Sequence, residues 1–178
     1  VSAENAIVTK LQDAFPGDIL EWSDFRGDLA VVVAREKILP VLEMLKIGDG
    51  LQFAMLLDLC GVDHPGRGER FEVVYHLLSL QTRHRVRIKV RVPEQDPVVD
   101  SAASLFKAAN WFEREAYDMF GIQFRGHPYL RRLLCHEDFE GHALRKDHDS
   151  KKRTRCTRVI ALDPDSSAAP PPPLGGSE

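Results

Sequence analysis

Glu113, Arg114, Glu115 and Asp118 stand close together, ahead of His127, Cys135, His136 and His142. Two carboxylates beside an arginine are the raw material of general acid–base catalysis, and a histidine such as His127 can complete such a set. Three histidines and a cysteine are possible zinc ligands. Spacing weakens both readings. Neighbouring helical positions point about 100° apart, so Glu113 and Glu115 do not converge on one substrate atom. Arg114 and Asp118, one turn apart, can pair with each other, and a fixed ion-pair node fits the spacing better than catalysis. The four candidate ligands lack the usual short-pair spacing, and the adjacent Cys135 and His136 rarely reach one ion together. No serine sits in a G-x-S-x-G context, and neither Gly48-Asp49-Gly50 nor Gly66-Arg67-Gly68 forms a dinucleotide or phosphate loop.

Composition narrows the classes further. The chain has 178 residues, 43% hydrophobic and 29% charged, with a formal net charge of −3. That is one globular domain with a proper core and no global attraction to nucleic acid or anionic lipid. No apolar run approaches the roughly 20 residues that span a bilayer, and no secretory signal is legible. Cys60, Cys135 and Cys156 are scattered and odd in number. They fit a reducing compartment, and with no Cys-x-x-Cys pair neither an iron–sulfur cluster nor a zinc ribbon has ligands at the usual spacing.

The elements that must position the candidate residues follow from periodicity. Residues 2–15 carry a helical pattern with Ser2 as N-cap. Residues 19–25 and 29–34 form a hairpin about Arg26-Gly27-Asp28. Residues 36–46 form a short helix with Pro40 in its first turn. Residues 53–62 are nearly all apolar and are expected as a central, buried strand. Residues 71–80 and 85–92 follow as strands, the latter alternating Val86, Ile88, Val90 and Val92 with Arg85, Arg87, Lys89 and Arg91. A long helix is expected from Asp100 or Ser101 to about Phe120, closed by Gly121. The order α-β-β-α-β-β-β-α predicts a two-layer α+β fold on a mostly antiparallel, mixed sheet. The expected organisation is a domain over 1–121, an extended arm over 122–158 and a disordered, proline-rich tail over 159–178.

The arm has no period. Arg125, Arg131, Arg132 and Arg145 are suited to planar contacts with carboxylates, and Phe124, Tyr129, Leu133, Leu134 and Phe139 are suited to apolar pockets. The run from Glu113 to Ile122, with Gly126-His127-Pro128 and the Leu130-Arg131-Arg132-Leu133-Leu134 stretch, closely resembles the signature of the 30 kDa subunit, or C subunit, of respiratory complex I. Glu137-Asp138-Phe139-Glu140-Gly141-His142 and Leu144-Arg145-Lys146-Asp147 are similar to the same family. The likeness spans about residues 3–147. Ala143 stands where the family usually has proline, and His148-Asp149 where an aromatic and a proline usually follow.

The resemblance implies a non-catalytic subunit in the hydrophilic arm of a proton-translocating NADH:quinone oxidoreductase. It implies docking on the quinone-site subunit and the adjacent iron–sulfur subunit, with the signature residues as interface. It implies no cofactor on this chain, the FMN and iron–sulfur clusters of the complex lying on other subunits. The expected place is peripheral, on the cytoplasmic side of a bacterial cell membrane, touching the membrane only through the complex. Related subunits occur in membrane-bound hydrogenases and in deazaflavin- or ferredoxin-linked complexes. From other classes come a stand-alone acid–base enzyme using Glu113, Glu115 or Asp118 with His127, and a binding module whose basic run near Lys151 grips an acidic partner.

Overall fold

Backbone preferences at a few residues shape the first half of the computed structural model, which describes residues 3–151. Helix α1 (Ala3–Ala14) buries Val8 and Leu11, and Gly17 takes the positive φ that turns the chain out of it. Strands β1 (Ile19–Phe25) and β2 (Asp28–Val33) are joined through Arg26 and Gly27, at φ 57° and 83°. Two successive positive φ values match the right-handed twist of a hairpin. A 3-10 turn over Arg35–Lys37 leads into α2 (Ile38–Ile47). Pro40 is its third residue, where the missing N–H has no intrahelical acceptor to lose.

Strands β3 (Met55–Asp63), β4 (Phe71–Leu78) and β5 (Arg85–Val92) complete a five-stranded sheet in the order β1-β2-β5-β4-β3. The β2–β5 pair is parallel and the other three are antiparallel. Val31, Val73, Tyr75, Leu77, Ile88 and Val90 are fully buried on one face, in one cluster with Leu11 of α1 and with Val41, Leu42 and Leu45 of α2. Helices therefore line one side, giving the expected two-layer α+β fold.

Two placements differ from expectation, the edge position of β3 and the extent of α3. The apolar run at β3 is an edge strand, with Met55 and Leu57 exposed and its register shifting between Leu56 and Asp58. Only its inner side packs: a Cβ at Gly61 would lie 2.6 Å from Phe120 Cδ2, so the helix carrying Phe120 rests directly on the β3 backbone. The cation row of β5 lies in the middle of the sheet, on the face away from the helices, where Lys89 pairs with Glu72 at 2.9 Å and Arg91 with Glu21 at 2.6 Å. Finally, α3 covers only Ala109–Phe120. Its N-cap is Ala108, which makes no side-chain cap. Val98–Asp100 is a strand, β6, paired in parallel with β7 (Gln123–Arg125) in a second small sheet. Between β6 and α3 the chain makes turns that still bury Ala102 and Phe106. Successive turns reproduce the apolar spacing of a helix, which is why periodicity alone extends it too far. Strand β7 is the last regular element among the described residues. Ser2, Cys156, the basic run beyond Lys151 and the proline-rich segment lie outside the described residues.

Candidate functional site

The signature residues gather at the C-terminal half of α3 and the irregular arm that follows it. Gly121 ends the helix in the left-handed region (φ 79°, ψ 17°), its N–H bonded to Tyr117 O. Past β7, Gly126 (φ 82°) turns the chain back across α3.

Asp118 is the centre of this return. Its carboxylate is fully buried and accepts the N–H groups of Leu133 (3.0 Å), Leu134 (2.8 Å) and Cys135 (2.8 Å), and Arg132 Nη1 at 2.9 Å. Burial pushes its pKa up, but these donors outweigh burial and hold it below the usual carboxylate range. The sign follows: the stabilisation is present above the unfolded pKa and is lost as pH falls through the depressed folded value. Arg114 does not pair with Asp118. It donates instead to the carbonyls of Arg131 (3.2 Å) and Arg132 (3.1 Å). The two residues, one turn apart, thus grip the same segment from one helix face.

The last carbonyls of α3 have no intrahelical donor, and the arm supplies them. Leu144 N donates to Met119 O, Arg145 Nε to Phe120 O at 2.6 Å, and His142 Nδ1 lies 2.9 Å from Asp118 O. Burial, opposed by that backbone contact, lowers the His142 pKa. A neutral imidazole protonated at Nδ1 fits the contact. Further on, Arg70 bonds Asp63 (2.8 and 2.9 Å), Asp147 (2.9 Å) and Glu94 (2.6 Å), while Lys146 N donates to Asp63. Arg132 also donates to Gly141 O and lies 5.9 Å from the ring centre of Phe139. A Cβ at Gly121 would fall 2.5 Å from His142 Nε2 and 2.6 Å from Arg145 Nη2. Gly121→Ala combines that clash with a left-handed backbone that costs a side chain about 1–2 kcal/mol. A lower melting temperature and faster proteolysis of residues 130–147 are expected; unchanged values for both would remove Gly121 from this role.

Glu113 and His127 form a second, separate node. Both side chains are fully buried, 4.0 Å apart. The Glu113 oxygens lie 2.6 Å from Ser101 Oγ and 2.6 Å from Ala102 N. His127 accepts Tyr129 N–H at Nδ1 (3.0 Å), leaving Nε2 to donate to Asn110 O (3.0 Å). Burial pushes the Glu113 pKa up to about 7 despite the two hydrogen bonds that lower it. Such a shift is what a general acid needs, but neither side chain is exposed to a substrate. Glu115 points to solvent, and Asp118 serves the 131–135 segment. The structure therefore brings Glu113 to His127 but assembles no accessible acid–base set with Glu115 and Asp118.

Pro128, Arg131, Glu137 and Asp138 are exposed, and Arg131 stacks 4.5 Å from the Tyr129 ring centre. His127, Cys135, His136 and His142 do not come together as metal ligands. The group among the described residues that does is Asp58, Cys60 and His76, on β3 and β4. Sequence reasoning missed it because Asp58 and His76 meet only across a strand pair.

Residues 31–154 match the family model of the respiratory-chain NADH dehydrogenase 30 Kd subunit. The chain belongs to that family. It is 52% identical over 141 residues to the NADH-quinone oxidoreductase C subunit of Roseiflexus castenholzii, covering 79% of this chain and 81% of that one. It is 44% identical to the protein of the same name from Citrifermentans bemidjiense, covering 83% and 91%. Among solved structures it is similar to a trypsin-resistant fragment of Nqo5, with 35% identity and a TM-score of 0.62 over 71% of this chain and 99% of that one. It is also similar to a chain of an archaeal respiratory membrane complex, the membrane-bound sulfane sulfur reductase, with 26% identity and a TM-score of 0.72 over 84% and 88%. As a family member, the protein is a subunit of a respiratory complex. No helix among the described residues is long and apolar enough to cross a membrane.

Proposed function

We propose that this chain is a non-catalytic subunit of the hydrophilic arm of a proton-translocating NADH:quinone oxidoreductase. The observation that carries this reading is the close likeness, over most of the chain, to proteins named as the C subunit of NADH-quinone oxidoreductase. The geometry agrees. The charged signature residues are spent inside the chain: Arg114 and Asp118 hold the arm to α3, and Glu113 ties α3 to the turns after β6. The work left for the surface is docking. Trp111, Tyr129, Leu134 and Leu144 are exposed, with Arg114 beneath Trp111 and Arg131 against Tyr129. Exposed aromatics backed by arginines are typical of interface anchors. The proposed partners are the quinone-site subunit and the adjacent iron–sulfur subunit. The chain sits peripherally on the cytoplasmic side of a bacterial cell membrane, held there through the complex, and bears none of the complex's FMN or iron–sulfur clusters.

The likeness to the archaeal membrane complex favours a second reading, the equivalent subunit of a related complex with another electron donor or acceptor. Affinity capture of the tagged chain from its own cells, with mass spectrometry of the proteins retained with it, separates the two. Recovery of a quinone-site subunit with a flavin-bearing, NADH-oxidising subunit is the expected result. Recovery with hydrogenase-type or ferredoxin-linked subunits supports the second reading. NADH oxidation by the purified chain alone overturns the non-catalytic assignment.

A further inference from the structure

The face of the sheet turned away from the helices holds a set of groups that the signature does not use. Asp58 and Cys60 are two positions apart on β3 and so point to the same side. His76 is the register partner of Asp58 on β4. One ligand atom from each of the three lies within 4.8 Å of the other two. We propose that Asp58, Cys60 and His76 form a binding site for a borderline-soft divalent cation of the zinc class.

The donor set selects the metal. Thiolate sulfur with imidazole nitrogen and one carboxylate oxygen suits zinc, whereas magnesium and calcium take oxygen shells. A tetrahedral zinc centre sets its ligand atoms roughly 3.3–3.8 Å apart, given its bond lengths. The three atoms, already within 4.8 Å of one another, need to close by at most about 1.5 Å, within the reach of side-chain rotation. A hydrogen-bonded ladder fixes the backbone of all three residues, so little order is lost on binding. Three protein ligands leave a fourth position for water or for a group brought by a partner.

Charge around the site is mixed. Arg87 is the register partner of His76 and opposes a cation, but it leans toward Asp28 at 3.8 Å. Lys89 is tied to Glu72, and Glu115 adds negative potential at Cys60. Burial, together with Arg87, lowers the His76 pKa. Burial and the Asp58 charge push the Cys60 thiol pKa up. A dication reverses that balance: the S–H bond breaks, a metal–sulfur bond forms, and the proton goes to the buffer.

Cobalt(II) titration of the purified full chain is the test, since cobalt reports thiolate ligation by a sulfur-to-metal charge-transfer band. One band-forming equivalent is expected, displaced by zinc and accompanied by release of a proton. The band must persist in the Cys135→Ser, Cys156→Ser double variant, in which Cys60 is the single remaining thiol. Cys60→Ser must abolish it. His76→Gln must weaken cobalt binding at least about 10-fold, the lower end of what even outer-shell changes cost. His76 faces away from the core, so circular dichroism should show that variant folded. A missing band in the unaltered chain, a band surviving in Cys60→Ser, loss of the band in the double variant, or unchanged affinity in His76→Gln each overturns the site.

Discussion

Asp118→Ala is expected to destabilise the domain by about 3–5 kcal/mol, the range for removing one partner of a buried charge pair. The deletion leaves Arg132 and the N–H groups of Leu133, Leu134 and Cys135 without their acceptor. These groups belong to one segment, so the loss falls on the arm first. Trypsin should cut after Arg131 and Arg132 well before the sheet unfolds, and the melting temperature should fall. Asp118→Asn keeps the shape but replaces an acceptor oxygen with a donor and removes the charge, so it should fall between. An arm as resistant to trypsin in Asp118→Ala as in the unaltered chain would show that something else holds it. The unaltered arm should itself loosen in acid, as the carboxylate protonates below the usual range.

The second large effect is a pH dependence at Glu113. Its folded pKa, about 7, lies above the ordinary value of 4.5. The folded chain therefore holds a proton that the unfolded chain has released. Stability from this group is full below about pH 4.5, declines as pH rises to about 7, and is flat beyond, a fall of roughly 3 kcal/mol. Glu113→Gln mimics the protonated acid: its carbonyl can accept Ala102 N–H and its amide can donate to Ser101 Oγ. The variant should lack this decline, so its melting temperature should gain on the unaltered chain steadily between about pH 4.5 and 7. A difference that stays constant over that range would refute a raised pKa at Glu113. Glu113→Ala should destabilise at every pH, because it orphans buried donors at Ser101 and Ala102.

Together the two carboxylates explain why a polar, irregular segment can be ordered. Asp118 holds residues 133–135, and Arg70, through Asp63 and Asp147, ties down the far end of the arm. Glu113 works on the near side, tying α3 to the turns after β6. Arg125, Arg132 and Arg145, suited by type to an external carboxylate, all have partners inside the chain. Arg131, stacked on exposed Tyr129, is left for the outer surface.

What the sequence determined by itself is local. The hairpin at Arg26-Gly27, the stop at Gly121, the inward valines of β5 and the divergence of Glu113 from Glu115 each depend on one residue's backbone preference or on a short period. The family likeness was legible too, because the signature runs nearly unbroken through α3 and the arm. Only the tertiary structure decided that β3 lies at the edge, that residues 98–100 are a strand, that Asp118 chooses Arg132 over Arg114, and that Asp58 and Cys60 meet His76. Each of these joins groups far apart in the chain. Periodicity reports which face of an element is buried, but not which distant donor a buried carboxylate will find, since that is set by where the sheet carries the partner.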